Sequence, residues 1–346
     1  MFMMSACGSV MQGERGRDAM RVLDRAEFEA EAARVDAFVA KTEGIDLFCS
    51  STLWALPADE ALMPSRTPWM RSSEHGYIAL MGGRHPTGWR YLQPLEGMWG
   101  LSNAFLGPDP EPLMEAFARE VTAPQHRWEV LLLSGMRRGS RQLEALHRHF
   151  GRRYRVRVEY PRVRYLASLE GGLEGFLGRR DRKTRANLRR AQRQAEEIGL
   201  WYEALPHGAG DARAIYARML RIEAQSWKGQ EGVGIDQGDM RGFYERMIPR
   251  MLSRGALRGL FLRDGEGRDI GYMLGGVFAG TFRGLQFSHV ASHAAYSLGN
   301  LSHVKMVELL EAEGGIGWYD LGSEMEYKKR WAEVADELVM ALVMRG

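Results

Sequence analysis

Apolar positions along this chain recur with two periods, and the switches between them mark out alternating helical and extended segments. Over residues 21–39, Val22, Phe28, Ala32, Val35 and Val39 fall at helical intervals among acidic residues, which predicts a helix packed on a sheet. Residues 77–81 and 89–92 read as strands on either side of the turn-rich Gly82-Gly83, and residues 128–133 as a third strand before a helix over 140–150. Residues 154–160 alternate bulky apolar and charged side chains, the pattern of a strand with one wet face, and Pro161 is expected to end it.

The same alternation returns after Gly171-Gly172, so the chain reads as two domains, 20–168 and 169–346. Helices are predicted over 173–199 and 212–227. Strands follow at 257–262, 270–274 and 282–287, the first two joined by a hairpin turn at Asp264-Gly265-Glu266-Gly267. Leu301, Val304, Met306, Val307, Leu309 and Leu310 then give a strongly apolar helix closed by Gly314-Gly315, and residues 316–321 return as a strand. This alternation favours an α/β (α+β) fold over a helical bundle. The likeness of the halves points to duplication, although no clean sequence repeat carries it.

Composition narrows the class. At 346 residues and 45% apolar, the chain can bury two compact cores. A net charge of +3 is small for that length, so overall electrostatics give no reason to expect DNA or a membrane as partner. No uninterrupted apolar run reaches the roughly 20 residues that span a bilayer. Cys7 and Cys49 are too few for a disulfide scaffold and lack metal-site spacing, which fits a reducing cytoplasm. The apolar stretch 1–12 lacks a basic leader and runs into a polar segment, so it reads as a frayed terminus and not as a secretory signal.

Charge is distributed unevenly, and its clusters bring in chemistry. Arg182, Arg185 and Arg189 lie along neighbouring turns of one helix, a cationic ladder suited to a phosphorylated donor, an anionic glycan or RNA, or else a solvated face. Glu223 and Trp227 fall on one face of the predicted 212–227 helix, with Lys228 on its shoulder; they read either as a proton acceptor and wall for an amine, or as a surface acid with a core anchor. His289 follows a strand and is placed to relay a proton. It is spaced i,i+4 from His293, but without a carboxylate ligand the pair predicts no metal. The segment Tyr296-Ser297-Leu298-Gly299-Asn300 opens the apolar helix, whose unpaired amides would meet an anion, with the Ser302 hydroxyl close by. Near the C-terminus, Asp320, Tyr327 and Lys328 are candidates to orient an acceptor and to stabilise negative charge on an attacked carbonyl; a loop cap and a local ion pair are the structural alternatives.

In this order the motifs resemble a known family. Arg185-Ala186-Asn187-Leu188-Arg189-Arg190, Glu223 with Ser226-Trp227-Lys228, the stretch 257–278, Tyr296-Ser297-Leu298-Gly299, and Tyr319-Asp320-Leu321-Gly322 through Tyr327-Lys328 to Trp331 together resemble the CelD/BcsL-like acetyltransferases of the GNAT superfamily, related to the FemAB-like aminoacyl transferases. The resemblance implies a tandem GNAT-like protein, with mixed, mainly antiparallel sheets flanked by helices. The C-terminal module would hold most of the reaction centre, and the cleft between modules would contribute to substrate choice. It further implies N-acylation of an amino sugar, amino acid, peptide or related primary amine by acetyl-CoA or another acyl-CoA, without a metal or a covalent enzyme intermediate. Glu223 or His289 would take the amine proton, Asp320 and Tyr327 orient the acceptor, and Lys328 stabilise the oxyanion. Gly299, Asn300, Leu301, Ser302, Arg185 and Arg189 would hold the donor, and Trp227, Lys228, Gln286 and Tyr296 the acceptor. Two alternatives stay open. The segment lacks a full Q/R-x-x-G-x-G/A loop, which leaves room for aminoacyl-tRNA as donor, and a GNAT-derived binding module would keep the pocket without turnover.

Overall fold

A single 13-stranded sheet runs through the molecule, and two copies of one strand plan meet in its middle. The computed structural model describes residues 20–206 and 208–345; Cys7 and the stretch 1–12 lie outside the described residues. The first copy comprises β1 (Arg21–Leu23), helices α1 (Arg25–Ala30), α2 (Ala32–Val39), α3 (Leu47–Ser50) and α4 (Thr52–Leu62), strands β2 (Thr67–Ser73), β3 (Gly76–Arg84), β4 (Arg90–Pro94) and the short β5 (Phe105–Leu106), then α5 (Pro110–Val121), β6 (Val130–Arg137), α6 (Arg141–Phe150) and β7 (Arg155–Ser168). Helices α7 (Gly172–Gly178) and α8 (Arg182–Glu197) lead into the second copy. That copy comprises β8 (Trp201–Ala204), α9 (Ala212–Glu223), α10 (Trp227–Gln230), α11 (Asp239–Ser253), β9 (Leu257–Arg263), β10 (Asp269–Phe278), β11 (Thr281–His289), α12 (Leu298–Glu313), β12 (Trp318–Ser323) and β13 (Val334–Met344).

The strand order, β1-β2-β3-β4-β6-β13-β7-β12-β11-β10-β9-β8, reads nearly the same from either edge. In each copy four antiparallel strands are followed by one parallel neighbour, β4 beside β6 and β11 beside β12. The closing strands are exchanged: β7 pairs with β12, β13 pairs with β6, and the two pair with each other from Val334↔Leu166 to Met344↔Arg155. Packing repeats this sharing, because Phe48, Leu53 and Trp54 of the first copy sit in one apolar cluster with Phe243, Met251 and Leu274 of the second.

Three predicted elements come out differently. Residues 21–23 leave the expected first helix and form edge strand β1, and the remainder breaks at Glu31 into α1 and α2. Pro161 does not end its strand. It is absorbed by a bulge in which Tyr160 takes φ 53° and the register slips between Leu338↔Arg162 and Met340↔Glu159, so β7 continues to Ser168. The expected helix 212–227 stops at Glu223, and Ser226 caps a new turn through its hydroxyl, which accepts from the Gly229 amide. Among the described residues no helix is long and apolar enough to cross a membrane.

Candidate active site

β11 and β12 pair only at Thr281↔Trp318, Phe282↔Tyr319 and Arg283↔Asp320. Beyond that point they diverge, and a cavity of about 530 Å³ opens between them, walled entirely by residues from Trp227 to Arg330. The divergence is fixed at its root by a buried ionic cluster. Arg283 lies 2.7 Å from both Asp320 and Asp46, while Arg164 reaches Asp320 at 3.1 Å and Asp336 at 2.7 Å. Burial alone would make Arg283 easier to deprotonate, but Asp320 and Asp46 outweigh it and hold the guanidinium firmly charged. The other Asp320 oxygen accepts from the Gly322 amide at 2.7 Å, shaping the turn where Gly322 takes φ 82°. Asp320 therefore faces this cluster and not the cavity.

The matching gap in the first copy is filled by its own chain. β4 and β6 pair at Tyr91↔Val130 and Leu92↔Leu131, after which the chain leaving β4 folds back and residues 102 and 103 bond to the continuation of β6. The buried Glu96 carboxylate accepts from the amides of Trp99, Gly100, Leu101 and Ser102. The Ser134 hydroxyl donates to Ser102 O and the Asn103 side-chain Nδ2 to Gly135 O, which ties the segment to the continuation of β6.

One end of the cavity is the start of α12. Ser297 adopts φ 54° and provides no side-chain cap, and the amides of Leu298 and Gly299 find no acceptor among the described residues. Gly299 is needed for closeness: a Cβ there would sit 3.1 Å from the Phe287 ring. Gly299 and Asn300 line the cavity. Leu301 instead packs on Ala191 and Ala195 of α8, and the Ser302 hydroxyl donates to Leu298 O at 2.8 Å, so both point into the protein. Arg185 is half-buried and folds back on the preceding turn, donating to Gly178 O and Arg180 O away from the cavity wall, whereas Arg189 is exposed on α8. Tyr296 packs beside His293 and is not part of the wall.

Trp227, Lys228, Gln286 and His289 all line the other part of the cavity. The Lys228 ammonium donates to Gln286 Oε1 at 3.0 Å and Phe287 O at 2.8 Å, and Gln286 in turn donates to the Tyr244 hydroxyl at 2.8 Å. Glu223 is separated from this group. Glu223 lies on the buried face of α9 with Met219 and Ile222, where its carboxylate accepts from the Tyr272 hydroxyl at 3.0 Å, whereas Trp227, beyond the helix end, is 51% exposed. Burial, then His293 and Lys228, lower the His289 pKa, so the ring is neutral at pH 7. Tyr327 and Lys328 come from a short 3-10 turn, Glu326–Lys328, and both line the cavity. Burial, with Arg283 as second cause, brings Lys328 down to about 8.

His303 is a cavity residue that local sequence patterns do not single out. It lies on α12 one turn beyond Gly299, and that i,i+4 spacing is the only signal that could have placed it. Its Nδ1 is 2.7 Å from the Tyr319 hydroxyl, whose other neighbour, Met273 S, is 3.6 Å away. The imidazole nitrogen is the better acceptor, so the hydroxyl donates to it and the ring proton is assigned to Nε2. Burial, followed by Lys328 and Arg330, lowers the His303 pKa to about 3.

The fold is shared with solved structures of low sequence identity. A conserved protein of unknown function from Bacteroides thetaiotaomicron superposes with a TM-score of 0.62 at 12% identity, covering 94% of this chain and 100% of that one. FemX gives 0.63 at 12% identity, covering 89% and 95%. The C-terminal domain of a putative lysylphosphatidylglycerol synthetase from Agrobacterium fabrum gives 0.56 at 14%, covering 92% and 93%. No curated protein matches the chain. Residues 182–329, the stretch that builds the open gap, match the family model described as an acetyltransferase (GNAT) domain, and the first copy repeats the strand plan of that stretch.

Proposed function

We propose that this chain transfers an acyl group from acyl-CoA to a primary amine. One observation carries the reading: a cavity between diverging parallel strands ends at the uncapped start of a buried helix, which supplies backbone donors for a pyrophosphate beside a slot for an extended thioester arm. The amine nitrogen attacks the thioester carbonyl, a C–N bond forms, and the C–S bond breaks to release CoA thiolate. His289, neutral at pH 7 and part of the wall, takes the amine proton; Glu223 is too enclosed for that task. Lys328 adds a positive charge to the wall, and Tyr327, kept protonated by burial, donates its proton to the departing thiolate and regains one from solvent as His289 releases the amine proton. Asp320 acts at a distance, holding the strands apart.

The test is a mass-spectrometric screen pairing acyl-CoA donors with amine and amino-sugar acceptors. An N-acylated product with wild type, and a loss of roughly 100-fold or more in kcat for His289→Gln, are expected. Full turnover in both His289→Gln and Lys328→Ala would remove the assigned roles. A second reading, transfer from aminoacyl-tRNA, has one observation in its favour: Arg182, Lys183, Arg189, Arg190 and Arg193 are exposed on α8, which packs on α12 beside the donor end. Including aminoacyl-tRNA in the screen separates the donors by product mass.

A further inference from the structure

The cavity has cations without counter-charges. Lys228, Lys328 and Arg330 line it, and no aspartate or glutamate does. Lys228 donates only to Gln286 Oε1 and Phe287 O, and Lys328 only to Ser323 O, so among the described residues neither ammonium touches a carboxylate. The acids whose fields reach them are engaged elsewhere: Glu223 by Tyr272, and Asp320 by Arg164, Arg283 and the Gly322 amide. Other partly buried cations are matched by acids, among them Arg218 by Glu203 and Asp269, and Arg258 by Glu313. Two half-buried lysines satisfied by neutral oxygens alone leave charge that a bound anion would neutralise.

The donor's phosphates do not account for both lysines. Successive residues of a strand face opposite sides of the sheet, so Phe287, packed on Gly299 of α12, and Gln286, bonded to Tyr244 of α11, mark two faces joined through the gap. The helix start that suits a pyrophosphate is on the α12 face, whereas Lys228 is fastened to Gln286 on the α11 face.

Resting on the acyltransferase reading, we infer that the acceptor is an amine bearing an anionic group, a carboxylate or a phosphate, held by Lys228 and Lys328. The absence of acids in the wall agrees, since nothing there would hold an ammonium and the nucleophile enters as the free amine. The test uses the full chain, an acyl-CoA that gives product, and matched acceptors: glucosamine 6-phosphate against glucosamine, and lysine against cadaverine. The two pairs distinguish phosphate from carboxylate. Wild type is expected to favour the anionic member of at least one pair by about tenfold or more in kcat/KM, the size of a charge-assisted contact. Lys228→Met is expected to bring that ratio to within about twofold, and Lys228→Arg to retain it.

Equal use of both members by wild type overturns the inference while leaving acyl transfer intact. So does a ratio that survives Lys228→Met, or a Lys228→Met effect confined to the KM for acyl-CoA. The absence of product from every acyl-CoA and acceptor overturns the underlying reading instead. Because the first comparison is made on wild type, a variant that fails to fold does not shield the inference.

Discussion

Lys328 and His303 sit in the same cavity, and burial moves both pKa values down with different consequences. Lys328, at about 8, is charged below that pH and neutral above it. An anionic, N-acylated product has no amine of its own to titrate, so its dissociation constant isolates the lysine. It is expected to rise above pH 8 with a limiting slope of about tenfold per pH unit, the slope of one proton, and to stay level in Lys328→Arg. A flat profile to pH 9.5 in wild type would remove Lys328 from the anion contact. His303 behaves oppositely with respect to function: at about 3 it is neutral throughout the working range and contributes no limb to the rate profile. Its effect is on stability. The unfolded chain takes up this proton near pH 6.5 and the folded chain only near 3, so stabilisation is complete above 6.5 and is lost as pH falls between the two values. Urea titrations from pH 7 to 4 are expected to show a shallower loss in His303→Gln, and an unchanged slope would count against the assignment.

At the scale of elements, the start of α12 depends on the absence of a side chain at Gly299, where a Cβ would meet the Phe287 ring at 3.1 Å. Gly299→Val is expected to raise the KM for acyl-CoA by about tenfold or more through crowding of the donor end, with a melting temperature within a few degrees of wild type. A changed acceptor KM with an unchanged donor KM would place the donor elsewhere. The elements around this site differ in how far the sequence reveals them. β9, β10 and β11 were legible because Asp264 to Gly267 punctuates the first pair and glycines break the rest. β13 was not, since it lies in mid-sheet and its run Leu338 to Val343 has no period that separates strand from helix. Glu223 and Trp227 fit one helical face on paper, but Ser226 between them was an N-cap, and Glu223 is buried on α9 whereas Trp227, beyond the helix end, is exposed. Lys228, His289, Gly299 and Lys328 could be named from residue type and neighbours. His303 could not, because its role comes from Tyr319 across the gap.

For the molecule as a whole, exchanged closing strands and a shared ionic cluster make each half part of the other's structure. β13 completes the sheet beside β6, and Arg164 of β7 binds Asp320 of β12 and Asp336 of β13. Removing a buried charge from such a cluster leaves its partners uncompensated, and the customary cost is several kcal/mol. Arg164→Met, at a position only 7% exposed, is therefore expected to lower stability by about 3–5 kcal/mol. The loss should appear equally in both halves, since the first copy's β6 depends on β13 and the second copy's β12 on β7. Hydrogen exchange of β3 and β10 amides during denaturant titration reads the halves separately: Ile78 and Leu80 report the first, Tyr272 and Leu274 the second. One coincident transition, shifted together by Arg164→Met, is the expected result. Two transitions, with only the second copy destabilised, would mean that the exchanged strands join units that fold independently, and the gap between β11 and β12 would then be held open by its own module alone.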